Sequence, residues 1–377
     1  MTRAPARKAA ADTETAPEAD RLEGFPHPRE TPALFGHADA ETQLRQAFDG
    51  ARLHHAWLIT GAEGIGKATL AYWLARYALA KPHERALAPP GQLAVPQDQL
   101  SCRQILSQAH PGLLVIRRVA DGKRLSSVIR VEEVRRLKQF LGLTADHDSW
   151  RVVIVDAADE LNQNAANALL KSLEEPPSRC LFLLLSCEPG RLLPTIRSRC
   201  RTLELQPLRE ADLWHAVDAA LGPASVKPPA ADERAQLTAL AHGSVRRALM
   251  LWGSGGLALN TRLMALMDSL PDLDMTLLHA IAEELSPAAA VEKFETFYAL
   301  LFDLIPRLVR AATLARFDGT DEDRLAGRLM PRDRLASWAE LWETILRDKA
   351  ITTALNLDKK SLVLQTGFKM RAVCQSR

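Results

Sequence analysis

Five short runs of the chain are apolar at successive positions: residues 56–60 (AWLIT), 113–117 (LLVIR), 150–156 (WRVVIVD), 180–186 (CLFLLLS) and 202–205. A strand with one wet face alternates between apolar and polar residues. Uninterrupted hydrophobicity instead predicts strands covered on both faces, as in a parallel sheet flanked by helices. Between most of these runs the apolar positions recur at helical spacing. Helices are predicted over 40–53, with Leu44, Ala47, Phe48 and Ala51 on one face, and over 68–80, 131–143 and 163–175. The last is stopped by Pro176-Pro177, which cannot continue a helix. Residues 81–99, rich in Pro, Ala and Gly, read as an irregular excursion.

From Arg209 onward the strand pattern disappears. Helical segments are predicted at 210–221, 232–241 and 245–252, then from about residue 260 to the end, interrupted by Pro271, Pro287, Pro306 and Pro331. The expected fold class is therefore α/β, a five-stranded parallel sheet with helices, followed by helical parts. The boundaries are a disordered tail over 1–33, an α/β domain over 34–208, a small helical part over 209–254 and a larger helical domain over 255–377. No repeat period and no heptad run long enough for a coiled coil is present.

Composition narrows the function classes. Of 377 residues, 47% are hydrophobic and 25% charged, which is ordinary for globular domains. Lys and Arg number 48 against 46 Asp and Glu, so bulk charge does not hold this chain to nucleic acid, although a local basic patch is compatible with it. Aromatics, at 5%, leave little for base-stacking platforms. Five widely spaced cysteines with no C-x-x-C pair encode neither a disulfide framework nor a zinc ribbon. The N-terminal residues lack the apolar core of a signal peptide, and no stretch offers about 18 uninterrupted apolar residues, so a cytoplasmic location without a membrane span is expected.

The sharpest chemical signal is GAEGIGKAT (residues 61–69), directly after the first predicted strand and before a predicted helix. In such a P-loop the glycines, here Gly61, Gly64 and Gly66, let backbone N–H groups wrap phosphates, and the lysine, here Lys67, reaches the β- and γ-phosphates. The position after the lysine, where the hydroxyl that ligates magnesium belongs, is Ala68. Thr69 comes one residue late. One helical residue is a rotation of about 100°, so Thr69 points away from a metal and at most touches another phosphate.

The strand 152–155 ends in Asp156, which suits magnesium orientation. The next residue is Ala157, with no proton-accepting group to activate water. Asp159, three residues on, reads as an exposed cap ahead of the following helix. The site is thus either empty or a holder of ATP or ADP without turnover. His54 and His55 read as a polar helix end. Arg135, Arg136 and Lys138 read as the wet face of a helix, with phosphate tracking as the alternative.

The order GAEGIGKAT, VVIVDAADELNQNAANALLKSLEEPP, LLLSCEPGRLLPTIRSRC and GSVRRAL resembles the bacterial clamp-loader branch of the AAA+ proteins. The resemblance spans about residue 34 to the C-terminus. Its most specific piece is the pairing of LLKSLEEPP (169–177) with Ser198-Arg199-Cys200. It implies that the small helical part is a lid and the last domain a collar for oligomerisation. It also implies that Arg199 is an arginine finger offered to the ATP site of an adjacent subunit. Ser186 or Cys187 then occupies the sensor-one region and Arg246 the sensor-two position. Partners implied are the gamma/tau and delta subunits, with the sliding clamp and primed DNA in the assembly. Many relatives carry a four-cysteine zinc module after the first P-loop helix; this chain keeps only Cys102 there, so no structural zinc is expected. The role implied is a largely non-hydrolysing stator. The alternatives are a self-sufficient AAA+ ATPase, with Asp159 or another group replacing the missing base, and a motor subunit of the gamma/tau type.

Overall fold

The computed structural model describes residues 18–50, 53–121, 124–142, 149–224, 226–314 and 319–375. It divides into two compact units, the first comprising residues 1–228 and 242–246, the second 229–241 and 247–377. Residues 209–254 are thereby shared between the two.

The first unit carries the strands β1 (Ala56–Thr60), β2 (Leu113–Arg117), β3 (Ala120–Asp121), β4 (Arg124–Leu125), β5 (Arg151–Asp156), β6 (Cys180–Ser186) and β7 (Arg201–Glu204). Strands β3 and β4 form a two-residue antiparallel pair. The other five make one parallel sheet in the order β2-β5-β6-β1-β7, from the runs predicted by their continuous hydrophobicity. Both faces are covered. Trp57, Ile59, Leu181, Leu183 and Leu185 enter one core, while Ala56, Leu58, Phe182 and Leu184 enter the other, so successive residues of a strand serve opposite cores. Helices α1 (Ala38–Asp49), α2 (Lys67–Leu79), α3 (Pro82–Arg85), α4 (Leu100–Leu106), α5 (Val131–Gly142), α6 (Gln163–Glu174), α7 (Pro194–Arg197) and α8 (Glu210–Ala224) complete the unit. Helix α2 is buried on nearly every side. This seats the P-loop at the carboxyl ends of the strands, where open α/β sheets bind ligands.

The expected disordered tail needs correction over residues 18–33. His27 is fully buried, with Nε2 2.9 Å from an Asp20 oxygen and Nδ1 accepting the Arg29 backbone N–H. Arg29 donates to both oxygens of Glu18, at 3.1 and 3.2 Å, and Arg117 of β2 pairs with Glu18 and Asp20 at 2.6 and 2.5 Å. Charge that suggests a solvated tail is here matched by charge at the sheet's edge. These bonds hold the Glu18 carboxyl, against the upward push of burial, down to about 2. The remainder of the predicted tail, residues 1–17, lies outside the described residues.

The second unit is helical: α9 (Ala231–Ala241), most of α10 (Val245–Gly253), α11 (Gly256–Asp268), α12 (Met275–Leu285), α13 (Val291–Leu314), α14 (Asp321–Leu329), α15 (Leu335–Leu355) and α16 (Lys359–Gln375). Helix α13 runs through Pro306, where the sequence predicts an interruption. Proline removes the N–H that would bond the carbonyl four residues back, that of Phe302. The indole Nε1 of Trp342 donates to that carbonyl at 3.0 Å instead. Trp342→Phe keeps an aromatic ring but removes the donor, and is expected to cost about 1 kcal/mol from the lost bond. The thermal midpoint of this unit should fall by about 2–4 °C; an unchanged midpoint would mean that the indole bond contributes nothing. Among the described residues no helix is long and apolar enough to cross a membrane.

Candidate functional site

The P-loop leaves β1 and enters α2 through three left-handed glycines, Gly61, Gly64 and Gly66, with φ of 140°, 75° and 109°. A Cβ on Gly64 would lie 2.4 Å from the Arg246 Cβ and from the Ser244 hydroxyl, so glycine is required there by packing as well as by φ. The segment 244–246 is stitched to the loop. Ser244 Oγ donates to the Glu63 carbonyl at 2.8 Å, the Val245 N–H donates to the Gly64 carbonyl at 2.9 Å, and Arg246 Nε lies 3.2 Å from the Glu63 carboxylate. His37 approaches from the other end of the unit's sequence, with Nε2 2.7 Å from the Ile65 carbonyl.

Lys67 is 7% exposed. A buried ammonium needs partners, and this one donates to the carbonyls of Gly61 and Ala62, both at 2.7 Å, and to Cys187 Sγ at 3.2 Å. Burial pushes the Cys187 thiol up, which keeps it a neutral acceptor. These donors suit a phosphate tail, which would exchange with the loop carbonyls at the ammonium. They do not complete a magnesium shell: Ala68 packs against the apolar core, and Thr69 is half-buried one position along the first turn of α2.

Asp156 ends β5, level with Arg117 of β2 and Leu185 of β6. Burial, reinforced by the neighbouring Asp20 carboxylate, pushes its carboxyl up to about 7, with Lys67 and Arg117 opposing. The reading of Asp159 as a helix cap is corrected: Asn162 caps α6 by accepting the Ala165 N–H at 2.8 Å. The Asp159 carboxylate accepts the N–H groups of Cys187 and Glu188, each at 3.3 Å, and so fixes the loop after β6. A carboxylate spent on two backbone donors is poorly placed to serve as a base.

The predicted finger belongs to another cluster. Arg199 lies in the turn between α7 and β7, 36% exposed at its side chain. Its NH1 donates to the Thr195 carbonyl at 2.9 Å, and its NH2 lies 2.7 Å from Glu174 Oε1. Arg197 lines a cavity of about 490 Å³ with Thr60, Gly61, Ala62, Cys187 and Glu204. The structure thus brings together Gly61, Gly64, Gly66, Lys67 and Arg246, with Thr69 beside them, and displays Arg199 separately.

Sequence reasoning missed His37, Ser244 and Glu174. The first two bond backbone carbonyls, which leaves no pattern in a sequence. Glu174 carries a readable signal, a pair of acids at the end of a predicted helix. The two histidines also change role: His54 Nδ1 lies 2.8 Å from the Ala56 carbonyl, and His55 Nε2 lies 3.0 Å from the Leu173 carbonyl and anchors the end of α6. Cys102 is buried, with Sγ 3.7 Å from the Val95 carbonyl. Among the described residues no group of three or more His, Cys, Asp or Glu side chains is placed to hold a metal ion.

Comparison with known proteins adds a family to this geometry. A family profile described as DNA polymerase III, delta subunit, matches residues 36–209. The delta' subunit of DNA polymerase III from Escherichia coli K12 is 31% identical over 280 residues, covering 73% of this chain and 77% of that protein. The chain belongs to the delta' family of clamp-loader subunits. The delta' subunit of Pseudomonas aeruginosa is 40% identical over 147 residues, and that match spans only 41% of the relative's length and 39% of this chain. Among solved structures, a DNA polymerase III gamma-subunit-related protein from Thermotoga maritima aligns with 89% of this chain and 100% of that chain, at 20% identity and a TM-score of 0.42. Within that delta' family match, this chain combines a five-stranded parallel sheet with a helical C-terminal region.

Proposed function

We propose that this delta' chain is a largely non-hydrolysing stator of the clamp loader, which lends Arg199 to the ATP site of a neighbouring motor subunit. The observation that carries the reading is the contrast between two cations. The P-loop's own Lys67 is turned inward onto loop carbonyls beside Ala68, whereas Arg199 is displayed on the surface. A guanidinium delivered to a transferring phosphoryl group stabilises the charge that develops there.

In this reading Gly61, Gly64, Gly66, Lys67 and Arg246 hold ATP or ADP without turnover, and Asp156 has no hydroxyl or base to work with. Bound nucleotide supplies a phosphate tail for Lys67 and a lock between the P-loop and residues 244–246. Its partners are the gamma/tau and delta subunits, and the sliding clamp and primed DNA within the assembly. Exposed apolar residues of the second unit, Leu346, Ile351 and Leu355 on α15 and Phe368 on α16, fit a collar that packs against other subunits. A mixing experiment tests the reading. The chain should co-elute with gamma/tau and delta subunits, and the complex should turn over ATP faster on primed DNA than the motor subunits alone. Failure to co-elute, or a complex no faster than its motors, would count against it.

A further inference from the structure

Glu174 is the residue whose placement helix formation leaves unexplained. It is the last residue of α6, and Glu175 follows as the C-cap, so two carboxylates stand at the negative end of the helix dipole. Acids are disfavoured there, and Lys171 is the one base in the last turn. A local choice that works against its own element is a mark of function elsewhere.

Its partner supplies that function. Glu174 Oε1 lies 2.7 Å from Arg199 NH2. The opposite terminal nitrogen, NH1, donates to the Thr195 carbonyl at 2.9 Å and reaches Ser198 Oγ at 3.5 Å. A guanidinium carries five N–H donors in a rigid plane, so with these contacts made Nε–H and a second N–H of NH2 remain for an anion. The end of α6 that carries Glu174 is itself fixed. Leu169 and Leu173 are buried in the core, and the Leu173 carbonyl is anchored by His55. The backbone that carries the carboxylate is therefore fixed by packing and by the His55 contact.

Resting on the proposed finger role of Arg199, we infer that Glu174 is its positioning residue. It holds the guanidinium in one plane by one edge, with the remaining donors presented to a phosphate of the neighbouring subunit. An exposed ion pair contributes little to stability. Its value lies in pre-ordering a long side chain before the phosphoryl group arrives.

The test is a double-mutant cycle in the reconstituted loader, reading kcat and KM for DNA-stimulated ATP turnover. Glu174→Ala is expected to lower kcat by about five- to tenfold with KM for ATP unchanged. Glu174→Gln, which keeps an oxygen acceptor, should recover most of the loss, and Glu175→Ala should behave as wild type. In an Arg199→Ala background, Glu174→Ala should have no further effect. A kcat unchanged by Glu174→Ala, or a loss of the same size in both backgrounds, would overturn the assignment. If Arg199→Ala itself leaves turnover at the wild-type level, the finger reading fails first, and the positioning role with it. Thermal midpoints of each variant separate these outcomes from misfolding.

Discussion

Arg199→Ala, introduced into an assembled loader, is expected to slow ATP turnover at the neighbouring motor site by ~10³-fold. By the rate equation this is about 4 kcal/mol of transition-state stabilisation. The size follows from the proposed role, in which a preorganised guanidinium is aimed at a transferring phosphoryl group. The same substitution should barely touch the chain's own stability. Glu174 is exposed and Arg199 half-buried, and surface pairs of this kind contribute about 0–1 kcal/mol. Site-specific turnover measured by single-turnover phosphate release, beside a thermal melt of the variant alone, checks both halves. A fall of less than threefold would remove Arg199 from the chemistry.

Asp156→Asn should stabilise the first unit in alkaline solution. Burial and the Asp20 carboxylate raise the Asp156 carboxyl from an ordinary 3.8 to about 7 in the folded chain. The folded state therefore holds its proton over a range where the unfolded state has released it. The contribution of this group to stability is fully present below about pH 3.8 and is lost as pH rises through about 7. At pH 8 the wild-type chain carries a half-buried carboxylate that asparagine avoids, a difference of about 2–4 kcal/mol once partial exposure is allowed for. Denaturant titrations of both proteins at pH 4 and pH 8 should diverge only at the higher pH. Equal differences at the two values would mean that Asp156 ionises freely in the folded protein.

The sheet was legible because its signal is local. Runs such as CLFLLLS name their own burial on two faces, and the strand order and register add only the pairing. The P-loop was legible for the same reason, since its glycines and lysine are contiguous. What sequence reading missed is contact between distant segments. Residues 18–33 look like a solvated tail until Arg117, about a hundred residues on, supplies the matching charge. Pro306 reads as a helix stop because only the fold brings the Trp342 indole to the orphaned carbonyl. Asp159 reads as a cap because its two backbone partners lie after β6, far along the chain. Arg199 illustrates the limit from the other side. Its composition and spacing say surface charge, and only the triplet Ser198-Arg199-Cys200 paired with residues 169–177 singles it out.

In the proposed function the chain keeps a switch-type fold that does not fire on its own nucleotide. The most direct measurement is phosphate release by the purified chain alone with Mg-ATP. Release should not exceed the protein-free blank, and Lys67→Ala should leave that value where it is. Turnover above the blank that Lys67→Ala abolishes would contradict the account and establish a self-sufficient ATPase.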